Sequence, residues 1–334
     1  MVENVVRILG AVGLVAALLV PLGQSPAAQA APDAQAGQAA PAAETGRLVA
    51  LTDQQYENNP AARIRLMDPA VASWNTAAAQ KWSWAPTSAN GFSGLTGAWG
   101  LPSDVKLRMD RAGAYVAVVS DSHGLAGVIT YPGGQRVWAV NVGGANNPHS
   151  VELLPDGNVA VAASTGGFIR VYTASQGSSS SKYASYALTD AHGVTWDPTQ
   201  QVLWVLGGNR LVALKVKGTA AAPVLEESKV VTLPTGGGHD LTPVLENHDL
   251  LWVSTGSKVY QVSKSAAAIV ATENIAGIKS VNSMPNAQQV RTTPTAGCYT
   301  SWCTDTVRFA VPAATRTLDG AQIYKARVWS SRYE

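Results

Sequence analysis

A short segment centred on one aliphatic residue recurs along this chain, and copy after copy leads into a strand-length run of β-branched and aliphatic residues. The copies are Ser103-Asp104-Val105-Lys106, His149-Ser150-Val151-Glu152, His192-Gly193-Val194-Thr195, His239-Asp240-Leu241-Thr242 and Lys279-Ser280-Val281-Asn282. Their starts lie 46, 43, 47 and 40 residues apart. A period of about 40 to 50 residues holding four short strands is the pattern of propeller blades. The second repeat shows the four strands as DVKLRM, YVAVVSD, GVITYP and RVWAV. No stretch from Arg47 onward carries helical periodicity, so the fold class expected is all-β, a six-bladed β-propeller.

The first repeat opens on RLVALTD, which matches the second strand of later repeats, so its innermost strand is missing. The segment Gly320–Trp329 is an unassigned strand at the other end of the chain. Pairing the two closes the ring and removes the open sheet edges that would template aggregation. Five or seven blades also fit the pattern, because the irregular stretch between Trp74 and Pro102 has room to conceal strands.

Of 334 residues, 46% are hydrophobic and 14% charged, enough to build a large core and too apolar for a disordered chain. The formal charge is +2 with no Lys/Arg block, which argues against nucleic-acid and polybasic membrane partners. Arg7, the apolar run Ile8–Leu22 and the small residues Ala28-Gln29-Ala30 read as a signal peptide over residues 1–30. An Ala/Pro-rich linker over 31–46 and a propeller domain over 47–334 follow. The expected product is secreted, extracellular, monomeric and free of the membrane once cleaved. Its only cysteines, Cys298 and Cys303, are then expected to form a local disulfide in an oxidising compartment.

Three of the five histidines, His149, His192 and His239, stand at one repeat position, with Ser103 and Lys279 at the same place in the flanking repeats. The innermost strands of a propeller line its central channel, so these residues form a ring at one mouth. Three imidazoles with an open coordination position suit a divalent ion such as manganese, zinc or calcium. Without a metal, the same histidines and Lys279 bind an anionic group and carry protons. A third reading has each histidine bonded to neighbouring backbone in a purely structural role. Glu152 and Asp240 are near in sequence, but strand alternation sends Asp240 away from the face of His239. His123 and His248 fall in turns. Trp99, Tyr299 and Trp302 are loop aromatics that could stack on a sugar ring, while Asp305 and Arg308 follow the cysteine loop.

The segments NNPHSVELLPDGNVAVAAS, DAHGVTWDPTQQVLWVLGG, GGHDLTPV and SWCTDTVRF resemble a family of secreted bacterial propellers classed only as a domain of unknown function. The resemblance runs from about Trp99 to the C-terminus and implies the propeller fold without an activity. A histidine-lined channel is more loosely similar to oligogalacturonate lyase, in which histidines hold a manganese ion that acidifies a uronate carboxylate. The glutamine ligand and the histidine pair two residues apart that mark that enzyme have no counterpart here. Two functions follow as expectations. One is metal-assisted lyase or hydrolase chemistry on an extracellular carbohydrate, using His149, His192, His239 and Lys279 with Trp99, Trp302 and Tyr299 on the substrate. The other is a non-catalytic module that holds a small molecule, a cell-wall glycan, a peptide or an exported protein.

Overall fold

A computed structural model describes residues 48–54, 62–245, 247–284 and 288–333. The signal peptide and linker expected over 1–46 lie outside them. Among the described residues no helix is long and apolar enough to cross a membrane.

The strands form six four-stranded antiparallel sheets, one per blade. Blade one joins β1 (Val49–Asp53), β2 (Arg63–Met67) and β3 (Gln80–Trp84) to the last strand of the chain, β24 (Ile323–Val328). Blade two holds β4 (Pro102–Met109), β5 (Tyr115–Asp121), β6 (Leu125–Thr130) and β7 (Arg136–Asn141). Blade three holds β8 (Pro148–Leu153), β9 (Val159–Ala163), β10 (Phe168–Tyr172) and β11 (Tyr183–Ala187). Blade four holds β12 (Ala191–Asp197), β13 (Val202–Gly207), β14 (Arg210–Thr219) and β15 (Ala222–Thr232). Blade five holds β16 (Asp240–Pro243), β17 (Leu250–Ser254), β18 (Val259–Ser263) and β19 (Ala268–Glu273), and blade six β20 (Ser280–Ser283), β21 (Gln289–Thr292), β22 (Thr306–Ala310) and β23 (Ala314–Thr317).

The ring closes as the repeat count requires. β24 lies innermost in blade one and pairs antiparallel with β1, Val49 opposite Val328 and Leu51 opposite Ala326. The irregular Trp74 to Pro102 stretch conceals one strand, β3, which completes blade one and adds no blade.

Burial explains why the second strands read as continuous apolar runs. Every residue of β9 and β13 is buried, because each sheet packs against a neighbouring blade on both faces. Between blades three and four, Ala160, Ala162, Ile169 and Val171 meet Val194, Leu203, Val205 and Val212. The outermost strands face solvent on one side, and β11 accordingly alternates exposed and half-buried residues. Trp329 is fully buried beside Tyr131 and Trp82, and its amide donates to Leu48 O, which fixes the closing strand against the first blade.

Candidate functional site at the channel mouth

The recurring histidines stand where the innermost strands break their own register. The β4–β5 pairing shifts at Ser103, the β8–β9 pairing at His149 and the β12–β13 pairing at His192. A bulge inserts one extra residue and re-aims its side chain. Strict alternation would place the first and third residues of each segment between blades and the second and fourth on the channel. With the bulge, the first residue also turns to the channel mouth. In blade five the pairing of β16 with β17 shows no such shift, and His239 stands just before β16 with its amide donating to Ser254 O at 2.9 Å. His239 lines the mouth while Asp240 meets Arg327 deeper in the channel, which corrects the expectation that the two take opposite faces.

Two residues before the ring position the chain turns left-handed in four consecutive blades, at Asn147 (φ 55°), Asp190 (φ 55°), Gly237 (φ 68°) and Gly277 (φ 75°). Only Asn, Asp and Gly take that conformation readily. The turn aims the carbonyls of Asn147 and Asp190 at the imidazoles that follow, and each accepts from Nδ1 at 2.9 Å, His149 and His192 respectively. A carbonyl can only accept, so the proton sits on Nδ1 and Nε2 is left as the free nitrogen. His239 is turned the other way: its Nε2 accepts from Lys279 Nζ at 3.0 Å, while its buried Nδ1 has no partner.

The imidazoles form a contiguous row. Ring centroids are 4.3 Å apart for His149 and His192 and 5.3 Å for His192 and His239, both pairs edge to face. Tyr324 extends the row at 5.7 Å from His149. It begins Tyr324-Lys325-Ala326-Arg327, a sixth copy of the repeated segment 45 residues after Lys279, which the sequence reading missed. Aligning the closing strand with the other copies is the signal that would have found it. Ser103, between Tyr324 and His149 in ring order, is small and buried and bonds Pro148 O at 2.7 Å, so Tyr324 can reach past it.

A pocket of about 290 Å³ opens at this row. His149, His192, His239, Lys279 and Tyr324 line it, with Gln54, Ser122, Asn147, Leu101 and Trp302 completing the wall. Trp302 is carried by the loop that the Cys298–Cys303 disulfide closes, and its indole N–H donates to Gln54 Oε1 at 3.1 Å. Among the described residues no carboxylate lines the pocket, although Asp190 Oδ1 stands 3.1 Å from Nδ1 of His192 at its edge. Burial holds His149 well below the ordinary imidazole value, with His192 adding to the effect, and burial together with the Lys279 ammonium lowers His239 to about 3. Burial also lowers the Lys279 ammonium and raises the Tyr324 phenol, which therefore stays neutral.

The other two expected aromatics are not brought here. Trp99 packs edge-on to Trp84 in the core between blades one and two, its indole N–H satisfied by Ala62 O at 2.9 Å. Tyr299 lines a separate cleft of about 310 Å³ with Asp305 and Gln322. His123 and His248 are exposed in turns.

The residues present do not fit a divalent ion. Among the described residues no three His, Cys, Asp or Glu side chains are grouped to hold a metal. The ammonium of Lys279 occupies Nε2 of His239, the nitrogen a metal would need, and repels a second cation. Glu152 and Asp240 are committed deeper in the channel, and Asp190 sets its Oδ1 3.1 Å from Nδ1 of His192, not at the open nitrogen.

That deeper layer is an ion network formed by the second and fourth residues of the segments. Arg327 bonds Asp104 Oδ1 at 2.7 Å on one side and both oxygens of Asp240 at 2.6 and 2.7 Å on the other. Asp104 belongs to blade two and Asp240 to blade five, which face each other across a six-membered ring, so the guanidinium lies on the axis. Lys325 Nζ stands 3.3 Å from Asp240, and Lys106 reaches Val151 O and Val194 O at 2.6 and 2.7 Å, spanning blades two to four. Arg108 forks onto Glu152 through two bonds of 2.7 Å. Asp104, Glu152, Asp240 and Lys325 are wholly buried. Burial alone would raise the Asp104 and Asp240 carboxyls, but the Arg327 guanidinium and the neighbouring lysines outweigh it and hold both below the usual range.

Fold and site together define a six-bladed propeller with a channel closed by ion pairs and a polar, histidine-lined pocket at one mouth. The chain belongs to the family of unknown function DUF6528, whose model matches residues 42–332. Among solved structures it is similar to a protein of unknown function from Bacteroides caccae, at 12% identity over 84% of this chain and 97% of that one, with a TM-score of 0.52. That likeness shows the fold alone. A weaker likeness, to the hydrazine synthase of Kuenenia stuttgartiensis, has 13% identity over 67% of this chain and 68% of that one and a TM-score of 0.46, too low to bear on function. No curated protein matches the chain.

Proposed function

We propose that the channel mouth binds the carboxylate of an acidic sugar, and that the protein is secreted to meet such sugars outside the cell. The observation that carries this is the pocket wall: one ammonium, three imidazoles and a phenol, with no carboxylate among them. Lys279 supplies the single charge that favours an anion, and charge-assisted hydrogen bonds are the strong ones. The Tyr324 hydroxyl is a neutral donor, and Trp302 offers an aromatic face of the kind that packs on a sugar ring. One ammonium bonded to the neutral imidazole of His239 suits a monoanion better than a phosphate dianion, for which forked arginines give more charge-assisted bonds. Secretion is supported by the apolar N-terminal run ending in small residues and by the disulfide.

Calorimetric titration with D-galacturonate and with neutral D-galactose tests this reading. Binding of the acid and not of the neutral sugar is expected, and equal binding of both, or of neither, overturns it.

A catalytic reading rests on Lys279. A general base works best when its pKa lies near the working pH, and His239 at about 3 is too weak. The Lys279 amine, lowered by burial and bonded to an imidazole, is the group that moves towards that range. If it abstracts the C5 proton next to a uronate carboxylate while the C4–O glycosidic bond breaks, a C4–C5 double bond forms, the departing oxygen takes a proton from water, and incubation with polygalacturonate will generate the ultraviolet absorbance of an unsaturated uronate. Loss of that absorbance in Lys279→Met would assign the base, and its absence in the parent protein leaves binding alone.

A further inference from the structure

The pocket ends blind, and this restricts how an acidic glycan can meet it. Directly beneath the imidazole row, Lys325 Nζ lies 3.4 Å from the His149 carbonyl and 3.3 Å from Asp240, with no side-chain exposure. One layer deeper, Arg327 joins carboxylates of opposite blades across the axis. Each of its three nitrogens already has a carboxylate partner, so the layer has neither the width nor spare donors to pass a chain.

The rim is narrow as well. Trp302 is tied to Gln54, and Gln54 Nε2 in turn donates to Pro102 O at 3.2 Å, which anchors the disulfide loop to blade two beside the mouth. The space left is about 290 Å³, just under the roughly 300 to 1,000 Å³ of pockets that take drug-sized ligands. Within it the three imidazoles, Lys279 and Tyr324 come from five of the six blades and all converge on the one mouth. The Tyr324 hydroxyl, on a residue only 4% exposed, has no hydrogen-bond partner among the described residues, its ring lies edge-on to His149, and Lys279 stands at the far end of the imidazole row.

Resting on the reading of the pocket as a carboxylate site, we infer that it takes a single acidic sugar unit, either a free uronate or the terminal unit of a chain entering end on. The interior of a polymer does not reach it. An interior unit carries a substituent on both sides, and a blind pocket has an exit for one. Recognition is then concentrated in the first unit, and units beyond it project into solvent past Trp302.

The test is titration of the intact protein with D-galacturonate, its α-1,4-linked trimer and its hexamer, with affinities counted per chain end. A blind, single-unit pocket gives affinities that differ by less than about tenfold from monomer to hexamer, whereas a second subsite adds a tenfold step or more. A gain of that size or larger with length, with the monomer still bound, overturns the inference while leaving the carboxylate reading standing, and binding of hexamer without monomer overturns both. Binding of the monomer alone supports it and identifies the ligand as a free acid. No binding of any of the three overturns both. Tyr324→Phe provides an internal control: it should weaken monomer and hexamer by the same factor, and a loss confined to the hexamer would place Tyr324 at a second subsite and contradict the single-unit pocket.

Discussion

The two layers of the channel are built on the same six innermost strands, one to five residues apart, yet they differ in how completely their polar groups are paired. In the lower layer the nitrogens of Arg327 all meet carboxylates, Lys106 meets two backbone carbonyls and Arg108 forks onto Glu152. In the upper layer, among the described residues, His149 and His192 keep Nε2 free of protein partners, the Tyr324 hydroxyl is unpaired, and the buried Nδ1 of His239 is orphaned. Buried polar groups are costly unless satisfied, so a layer with several spare groups next to a largely paired one, in which Thr195 Oγ1 is buried without a partner among the described residues, marks where the fold leaves room for a ligand. The lower layer holds the six blades in register and the upper one is available for recognition.

The largest expected effect falls on the lower layer. Arg327→Met leaves Asp104 and Asp240 as uncompensated buried charges and should lower stability by about 3 to 5 kcal/mol, the usual cost of breaking a buried pair by removing one partner. Chemical denaturation would read this. A change below 1 kcal/mol would mean that the network contributes little to holding the ring.

The disulfide joins residues five apart in sequence and closes a small loop, for which chain entropy gives about 2 kcal/mol of stabilisation. Replacing Cys298 and Cys303 by Ser should remove about that much and also free Trp302 from the rim. Weaker galacturonate binding in this variant, read at a temperature where it remains folded, would show that the loop shapes the upper layer.

Acid should act on the two layers at different pH. Buried His149 and His239 have folded values below the unfolded 6.5, so between those values the unfolded chain holds more protons. Their contribution is complete above 6.5 and declines as pH falls, by up to about 1.4 kcal/mol per pH unit for each imidazole. Asp104 and Asp240 are depressed carboxyls, so their contribution is complete above about 4 and is lost only below it. Melting temperatures across pH 4 to 8 should therefore decline from about 6.5 downward, and His239→Gln should flatten part of that slope. A profile flat down to 4 would contradict the buried neutral imidazoles.

The smallest effect expected is that of Tyr324→Phe, which removes one neutral hydrogen bond to the ligand. The loss should be about 0.5 to 1.5 kcal/mol in galacturonate affinity with little change in stability.

How far each layer could be read from the sequence follows from the same contrast. The upper layer was visible because histidine is rare here and its spacing matches the strand period. Tyr324 escaped because it sits on the closing strand, which was recognised by its apolar pattern and not aligned position by position. The network was invisible because Asp104, Asp240 and Arg327 meet only once the ring is closed, from blades far apart in sequence. Alternation misplaced Asp240 because His239 lies just before β16, outside the strand whose period of two the argument assumed. Trp99 and Trp302 are both loop tryptophans, and only packing separates the one buried against Trp84 from the one standing at the rim.

The most direct test of this division is Lys279→Met, assayed for galacturonate binding by calorimetry and for stability by thermal melting of the same sample. Binding should fall by about 1.5 to 3 kcal/mol, the worth of a hydrogen bond to a charged group, while the melting temperature stays close to that of the parent. Unchanged affinity for the acid, or a collapse in stability like that expected of Arg327→Met, would contradict the assignment of recognition to the upper layer and cohesion to the lower.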